Sequence, residues 1–332
     1  MNNLMYIDIK KLAHGAITVY KDSEDYVFFQ RFSDEQMKFY KDSGGYYEQM
    51  SKCQAGIFLS FYTDGNYLEF EYSCTDTEDA KSSIDLYVDD SFSSTYDITN
   101  TKKAKIKIQL LSLNGQSDNE KNMKKVALYL PPLACIGIKN FCIDAKYVEK
   151  IEEKPTKMLF LGDSITQGMY VTHASFTYQS VLTRLLGVSG INQGIGGFMI
   201  TPEILNGWEN ASPDVILVAY GTNDWYFRDD LSRFKEDVYM FFNRLSEVHS
   251  KAKIYVVTPI WRGDFEKIGK MCSLKEVSLI IKENALKHKN MVVIDGIKCF
   301  PHNAEFMEDG YLHPNDMGFL LYACELLKQI RV

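Results

Sequence analysis

KMLFLGDSITQG, residues 157–168, is where the grammar of this chain changes. Met158, Leu159, Phe160 and Leu161 form a short continuous apolar run that stops at Gly162-Asp163. A run of that length with no polar alternation predicts a strand buried on both faces, the strand type of a parallel sheet. Ser164 then falls at the C-terminal end of that strand, where open α/β sheets place their ligands. Asp163 and Ser164 equally suit a turn or a helix cap, so their meaning depends on what flanks them.

C-terminal to this stretch, buried-type strands alternate with helical patterns. Strands are expected at Met158–Leu161, near Ile191, and at Val215–Ala219, Ile254–Val257 and Met291–Ile294. Between them, Asp230–Ser250 carries Leu231, Phe234, Val238, Phe241, Phe242, Leu245 and Val248 at three-to-four spacing, the signature of an amphipathic helix. Ser273–Lys287 and Asn315–Ile330 read the same way. Alternating β and α predicts a parallel sheet with helices on both faces, with function in the loops after the strands.

N-terminal to it, from residue 15 to about 145, the period is two. Leu68, Phe70 and Tyr72 share one face while Glu69 and Glu71 share the other, and Ile106, Ile108 and Leu110 alternate with Lys105, Lys107 and Gln109. Similar runs occur at Ala16–Tyr20, Tyr26–Gln30, Gly56–Phe61, Ile84–Val88, Val126–Leu130 and Ile136–Ile143. Turn chemistry such as Thr63-Asp-Gly-Asn66 separates many of them, and Gly115–Lys121 reads as an exposed polar loop. Many short alternating strands without a long helical pattern predict a β-sandwich, jelly-roll-like. The expected organisation is a β-sandwich domain over 1–148, a charged, proline-bearing linker over 149–156, and an α/β domain over 157–332.

The 332 residues are 45% hydrophobic and 24% charged, enough to build a large core in a soluble protein. A net charge of −7 argues against nucleic acid or anionic membrane as partners. The first residues, MNNLMYIDIKKLAHG, lack the basic-then-apolar pattern of a signal peptide, and no run is long enough to span a bilayer. The seven cysteines are scattered, with no CxxC pair, and read as reduced thiols of a cytoplasmic protein. No HExxH, EF-hand or Walker A motif is present.

Four loops fall at or near the strand ends: Gly162-Asp-Ser-Ile165, Asn192-Gln-Gly-Ile-Gly-Gly197, Gly221-Thr-Asn-Asp224 and Asp309-Gly-Tyr-Leu-His-Pro314. In this order and strand context, they resemble the four signature blocks of the SGNH (GDSL) hydrolase superfamily, over roughly residues 157 to 332. That resemblance implies a flavodoxin-like parallel sheet and a serine esterase. The chemistry follows from the residues too. Acyl transfer needs a nucleophile, a base and donors for the oxyanion. Ser164 offers the hydroxyl. His313 is the expected base, on a loop held by Pro314 and the helix that starts near Asn315. The backbone N–H groups of Ser164 and Gly197 and the side-chain amide of Asn223 would form the oxyanion hole, matching the roles that the family gives its serine, glycine, asparagine and histidine.

Plainer readings exist for each block. Gly194-Ile-Gly196-Gly197 could belong to a dinucleotide loop, but GxGxxG would require glycine where Met199 stands. Asn223-Asp224 suits an ordinary turn, and His313 a helix-entry residue packed on Tyr311. Of the other five histidines only His173, shortly after the serine loop, merits attention, with a surface loop as its plainer role. The GxSxG elbow of the α/β-hydrolases is absent around Ser164. One departure from the family pattern matters: it places the triad aspartate three residues before the histidine, where this chain has Gly310, with Asp309 four before. Either Asp309 reaches the imidazole through a longer turn, or a backbone carbonyl orients His313.

A β-sandwich followed by an SGNH domain is similar to the arrangement of family 2 carbohydrate esterases, which implies removal of small acyl groups, acetyl first, from sugars. The expected partner is a small acetylated oligosaccharide, and no cofactor or metal is expected, since serine chemistry supplies its own nucleophile. Asp163, Trp225 and Trp261 stand where a substrate wall could be, with core packing as the alternative for both tryptophans. The competing expectations are an esterase, thioesterase or lipase-like hydrolase of a non-sugar acyl substrate, and a non-catalytic carbohydrate-binding protein.

Overall fold

A computed structural model describes residues 4–76, 81–111, 123–208 and 212–332, except the side chain of Asp76. The expected loop Gly115–Lys121 lies outside them. The chain divides into two compact units. The first comprises residues 1–31, 52–153 and 172–175, and the second residues 32–51, 154–171 and 176–332.

In the second unit, β1 (Lys157–Gly162), β2 (Ser189–Gly194), β3 (Val215–Ala219), β4 (Lys253–Val257) and β5 (Met291–Ile294) form one parallel sheet in the order β2-β1-β3-β4-β5. This 2-1-3-4-5 order is that of the flavodoxin-like doubly wound sheets, whose topological switch point lies between the first and third strands. The central strands are buried on both faces, as the unbroken apolar run required. Met158, Phe160, Val215, Leu217, Tyr255 and Val257 point into one core. Leu159, Leu161, Ile216, Val218, Ile254 and Val256, their alternates, are buried too.

The helices of this unit are α1 (Asp34–Ser43), α2 (Gly45–Lys52, of which Lys52 clusters with the first unit), α3 (Ser164–Gln167), α4 (Tyr178–Leu186), α5 (Thr222–Phe227), α6 (Leu231–Val248), α7 (Leu274–Ala285), α8 (Gly296–Cys299) and α9 (Asp316–Leu327). Their starts follow local chemistry: Asp230, Ser273 and Asn315 each accept a backbone N–H of the first turn of α6, α7 and α9. Phe234, Val238, Phe241, Phe242 and Leu245 form the buried stripe of α6. Helices α4 and α9 pack on the core of β1, β3 and β4, where Tyr178 and Tyr322 meet edge to face at 4.9 Å.

Helices α1 and α2 are a departure from the period-two reading. Ser33 and Gln36 form a full capping box, the Ser33 Oγ accepting from Gln36 N at 3.3 Å and the Gln36 Oε1 from Ser33 N at 3.1 Å. Asp34 and Glu35 sit in the first turn and Lys41 in the last, as the helix dipole favours.

The first unit is two antiparallel sheets around one core. One sheet runs Thr18–Lys21, Val27–Gln30, Ala134–Ile143, Tyr67–Asp76, Lys103–Gln109, with Met5–Tyr6 also on Ala134–Ile143. The other runs Val148–Lys150, Phe58–Thr63, Lys124–Tyr129, Ser83–Val88, Ser91–Asp97, with Ala13–His14 on Phe58–Thr63. Leu68, Phe70, Tyr72 and Ile108 from the first share a core with Leu59, Phe61, Leu86, Val126 and Leu128 from the second. The sandwich follows from the alternation. All seven cysteines are free, and among the described residues no helix is long and apolar enough to cross a membrane.

Candidate active site

Ser164 is the first residue of α3, directly after β1 and its N-cap Asp163. The switch point of the sheet places it above the β2–β1–β3 strands, whose loops carry Gly197 and Asn223. His313 arrives from the loop before α9. The Ser164 Oγ and His313 Nε2 are 2.9 Å apart, and the His313 Nδ1 lies 2.7 Å from the Asp309 Oδ2. The carboxylate accepts the Nδ1 proton, which leaves Nε2 as an acceptor for the serine hydroxyl. Ser164 and His313 are both buried.

The one-residue offset of Asp309 is absorbed by its turn. Gly310 takes φ 79°, a left-handed conformation that glycine adopts without cost and that lengthens the turn by a residue. The Asp309 Oδ1 accepts the N–H groups of Tyr311 (3.1 Å), Leu312 (2.8 Å) and His313 (3.0 Å). Burial works against the charged carboxyl, but the hydrogen bonds from the His313 ring and from these three amides outweigh it and hold Asp309 well below the usual carboxylate range. One oxygen builds the turn while the other faces the imidazole. The backbone carbonyl considered as an alternative orienting group has no place in this arrangement.

The glycine-bearing loop after β2 is clipped in place from two sides. From α3, the Gln167 Oε1 accepts the Gly196 N–H at 2.7 Å. From α5, the Asn223 Nδ2 donates to the Phe198 carbonyl at 3.0 Å, and the Asp224 carboxylate accepts the Ile200 N–H at 3.2 Å. Asn223 thereby spends one of its two amide hydrogens on the loop and keeps the other. Gly197 sits at φ 74°, where a side chain would be strained. Phe198 is held by an aromatic nest from α1 and α2: Tyr40 at 5.1 Å and Tyr47 at 4.9 Å, both edge to face.

The family model for GDSL-like lipases and acylhydrolases matches residues 160–320. This unit belongs to that family. The protein is a carboxylic ester hydrolase of the GDSL/SGNH type. No curated protein matches the acylhydrolase by sequence. Its fold is similar to a salicylyl-acyltransferase from a tetracycline biosynthetic pathway (TM-score 0.83, 17% identity, covering 98% of this chain and 96% of that one). It is also similar to a family two carbohydrate esterase from Cellvibrio japonicus (0.66, 15%, 98% and 97%) and to an acetyl xylan esterase from the rumen bacterium Butyrivibrio proteoclasticus (0.61, 15%, 98% and 97%). The fold resemblance thus spans both units.

Of the expected substrate-wall residues of the acylhydrolase, none offers an open face. Asp163 is 3% exposed, and its Oδ1 caps α3 by accepting the Ile165 N–H at 3.0 Å. Trp225 is 3% exposed, with the Arg262 guanidinium 4.5 Å from its ring, and Trp261 is 9% exposed and stacked on His302 at 5.8 Å. His173 lies in the first unit, edge to face with Phe92 at 5.7 Å. Among the described residues, no three His, Cys, Asp or Glu side chains gather as a metal would need.

Reading the sequence alone missed Gln167, Arg262 and Tyr170. Arg262 is buried and reaches the Thr222 Oγ1 at 2.8 Å, beside Asn223, but a lone arginine five residues past the end of β4 gives no local signal of that. Gln167 stood inside the opening motif, where the polar residue after Ser-Ile-Thr was the available clue.

Burial raises the Asp163 carboxyl to about 7, helped by the nearby Asp224 charge and opposed by the Ile165 N–H and Arg262. Burial likewise raises Asp224 to about 6, against the pull of Arg228, 2.8 Å away. Between the unfolded value near 4 and the folded value near 7, native Asp163 holds a proton that the unfolded chain has released. Stability contributed by this group therefore falls as pH rises through that window. Asp163→Asn keeps a cap acceptor and removes the titration. The variant is expected to gain on the order of 2–4 kcal/mol over wild type at pH 8 and much less at pH 4.5, read from denaturant melts. An equal difference at both pH values would contradict the buried-proton account.

Proposed function

We propose that this protein is a serine esterase that removes small acyl groups, acetyl first, from carbohydrate. The single observation that carries the reading is the continuous Oγ–Nε2–Nδ1–Oδ2 chain from Ser164 through His313 to Asp309. Ser164 would attack the ester carbonyl while His313 takes its proton, and Asp309 would hold the imidazole and stabilise the imidazolium. The N–H groups of Ser164 and Gly197 and the second amide hydrogen of Asn223 would receive the oxyanion. His313 would then return the proton to the departing alcohol, and water, activated the same way, would release the acid.

The sugar side of the proposal is supported by the family two carbohydrate esterase and acetyl xylan esterase folds, which this chain shares over both units. It is tested by acetate release from a panel of acetylated xylo- and cello-oligosaccharides beside short- and long-chain p-nitrophenyl esters, for wild type and Ser164→Ala. Wild-type acetate release that the variant lacks supports the reading. Turnover confined to longer acyl esters would sink it and favour the second reading, a hydrolase of a non-sugar acyl substrate, which the salicylyl-acyltransferase fold suggests.

Asn223→Ala tests the oxyanion role. Its donor matters chiefly once charge has developed on the carbonyl oxygen, so kcat should fall about 10²–10³-fold with KM nearly constant. A rise in KM at constant kcat would remove Asn223 from that role.

A further inference from the structure

The geometry points to Tyr170 as the residue that selects the alcohol half of the ester, holding a ring-bearing alcohol such as a pyranose against its face. The sugar identity rests on the proposed function above; the alcohol-side assignment stands on the placement of the ring. Tyr170 lies two residues past Gly168, the left-handed cap of α3, whose N–H and that of Met169 both donate to the Ser164 carbonyl, at 3.0 and 2.9 Å. The chain turns so tightly here that Tyr170 itself adopts φ 67°, a region that bulky side chains rarely enter and that concentrates at functional sites. Val171, next in line, is buried and anchors the turn.

The strained turn sets the ring beside His313. The two rings meet near edge to face, with centroids 5.0 Å apart and planes at 65°. Yet Tyr170 remains 40% exposed, so the residue is not buried against its neighbour. Position then assigns the half of the substrate. In ester cleavage, the imidazole Nε2 hands its proton to the alkoxy oxygen, so the alcohol must lie against the histidine while the carbonyl oxygen points to the donors of Ser164, Gly197 and Asn223. A partly exposed aromatic residue next to the imidazole would border the alcohol. A flat face of that kind suits the C–H face of a saturated ring better than a short linear chain. Trp225 and Trp261, being buried, cannot serve this purpose.

The test uses one acyl group and three alcohols: ethyl acetate, cyclohexyl acetate and a mono-acetylated methyl xyloside. Tyr170→Asn removes the ring with a residue that tolerates the left-handed backbone, and Tyr170→Phe keeps the ring. The readout is the ratio of kcat/KM for each ring alcohol to that for ethyl acetate, in the full-length protein. Tyr170→Asn should lower this ratio roughly 10-fold, mainly through KM, and Tyr170→Phe should preserve it. An unmoved ratio in Tyr170→Asn, with all esters falling together, would overturn the assignment and leave the ring as support for His313 alone. An equal fall in Tyr170→Phe would also overturn it, by placing selectivity in the hydroxyl. Wild type that ignores the xyloside but shows the Tyr170-dependent ratio on cyclohexyl acetate would reject the sugar reading and uphold Tyr170.

Discussion

Ser164→Ala and His313→Ala are each expected to lower ester turnover by about 10⁶, and the double variant to lose little more. The reason is their 2.9 Å contact: neither the hydroxyl without a base nor the base without a hydroxyl can start acyl transfer. What survives is the part of catalysis that oxyanion donors and binding supply alone, roughly 10³–10⁴ over water. Ser164 is small enough to truncate without a large cavity, so the Ser164→Ala melting temperature should stay close to wild type, whereas His313→Ala should melt lower because Asp309 loses the hydrogen bond from the ring. The check is kcat on p-nitrophenyl acetate for wild type, the two single variants and the double variant. Losses that multiply in the double variant would mean that the two residues act independently, against the account.

The second large effect is on Asp309. Asp309→Asn should lower kcat by about 10⁴ while the turn stays folded. An asparagine can keep its Oδ1 on the N–H groups of Tyr311, Leu312 and His313, the three bonds that shape the loop. Its amide would then donate toward the His313 Nδ1, where the carboxylate had accepted. The imidazole proton would move to Nε2, which could no longer take a proton from Ser164. Asp309→Ala should show the same loss of turnover and, in addition, a lowered melting temperature, because the three amides lose their acceptor. If Asp309→Asn retained turnover within about tenfold of wild type, His313 would not depend on this carboxylate for its tautomer.

Most of the acylhydrolase unit was legible because its cues are local. Four buried runs, a short strand expected near Ile191 and three amphipathic stretches match β1 to β5 and α6, α7 and α9 within a few residues. The four loops that gather at the switch point could be placed as soon as the strands were. Helices α1 and α2 are not legible from periodicity although Ser33-x-x-Gln36 is a capping signature, because alternating strands on both sides impose period two on the stretch between them. Their role in bracing Phe198 with Tyr40 and Tyr47 depends on contacts more than a hundred residues apart, which no local pattern encodes. The same holds for Asp309: spacing alone suggested a displaced carboxylate, while the left-handed Gly310 that restores its reach is a property of the folded turn. Tyr170 was invisible for a related reason, since its importance comes from a backbone conformation and a ring neighbour 143 positions away.

The most direct test of the account is covalent. A fluorophosphonate reacts only with a serine whose hydroxyl is activated by a base and whose oxyanion is stabilised. Wild-type protein should take up one phosphonate with full loss of esterase activity, the adduct mapping by peptide mass spectrometry to Ser164, and His313→Ala should label far more slowly. An adduct on another serine, or intact Ser164 in protein that still hydrolyses esters, would contradict the assignment of the nucleophile and the mechanism built on it.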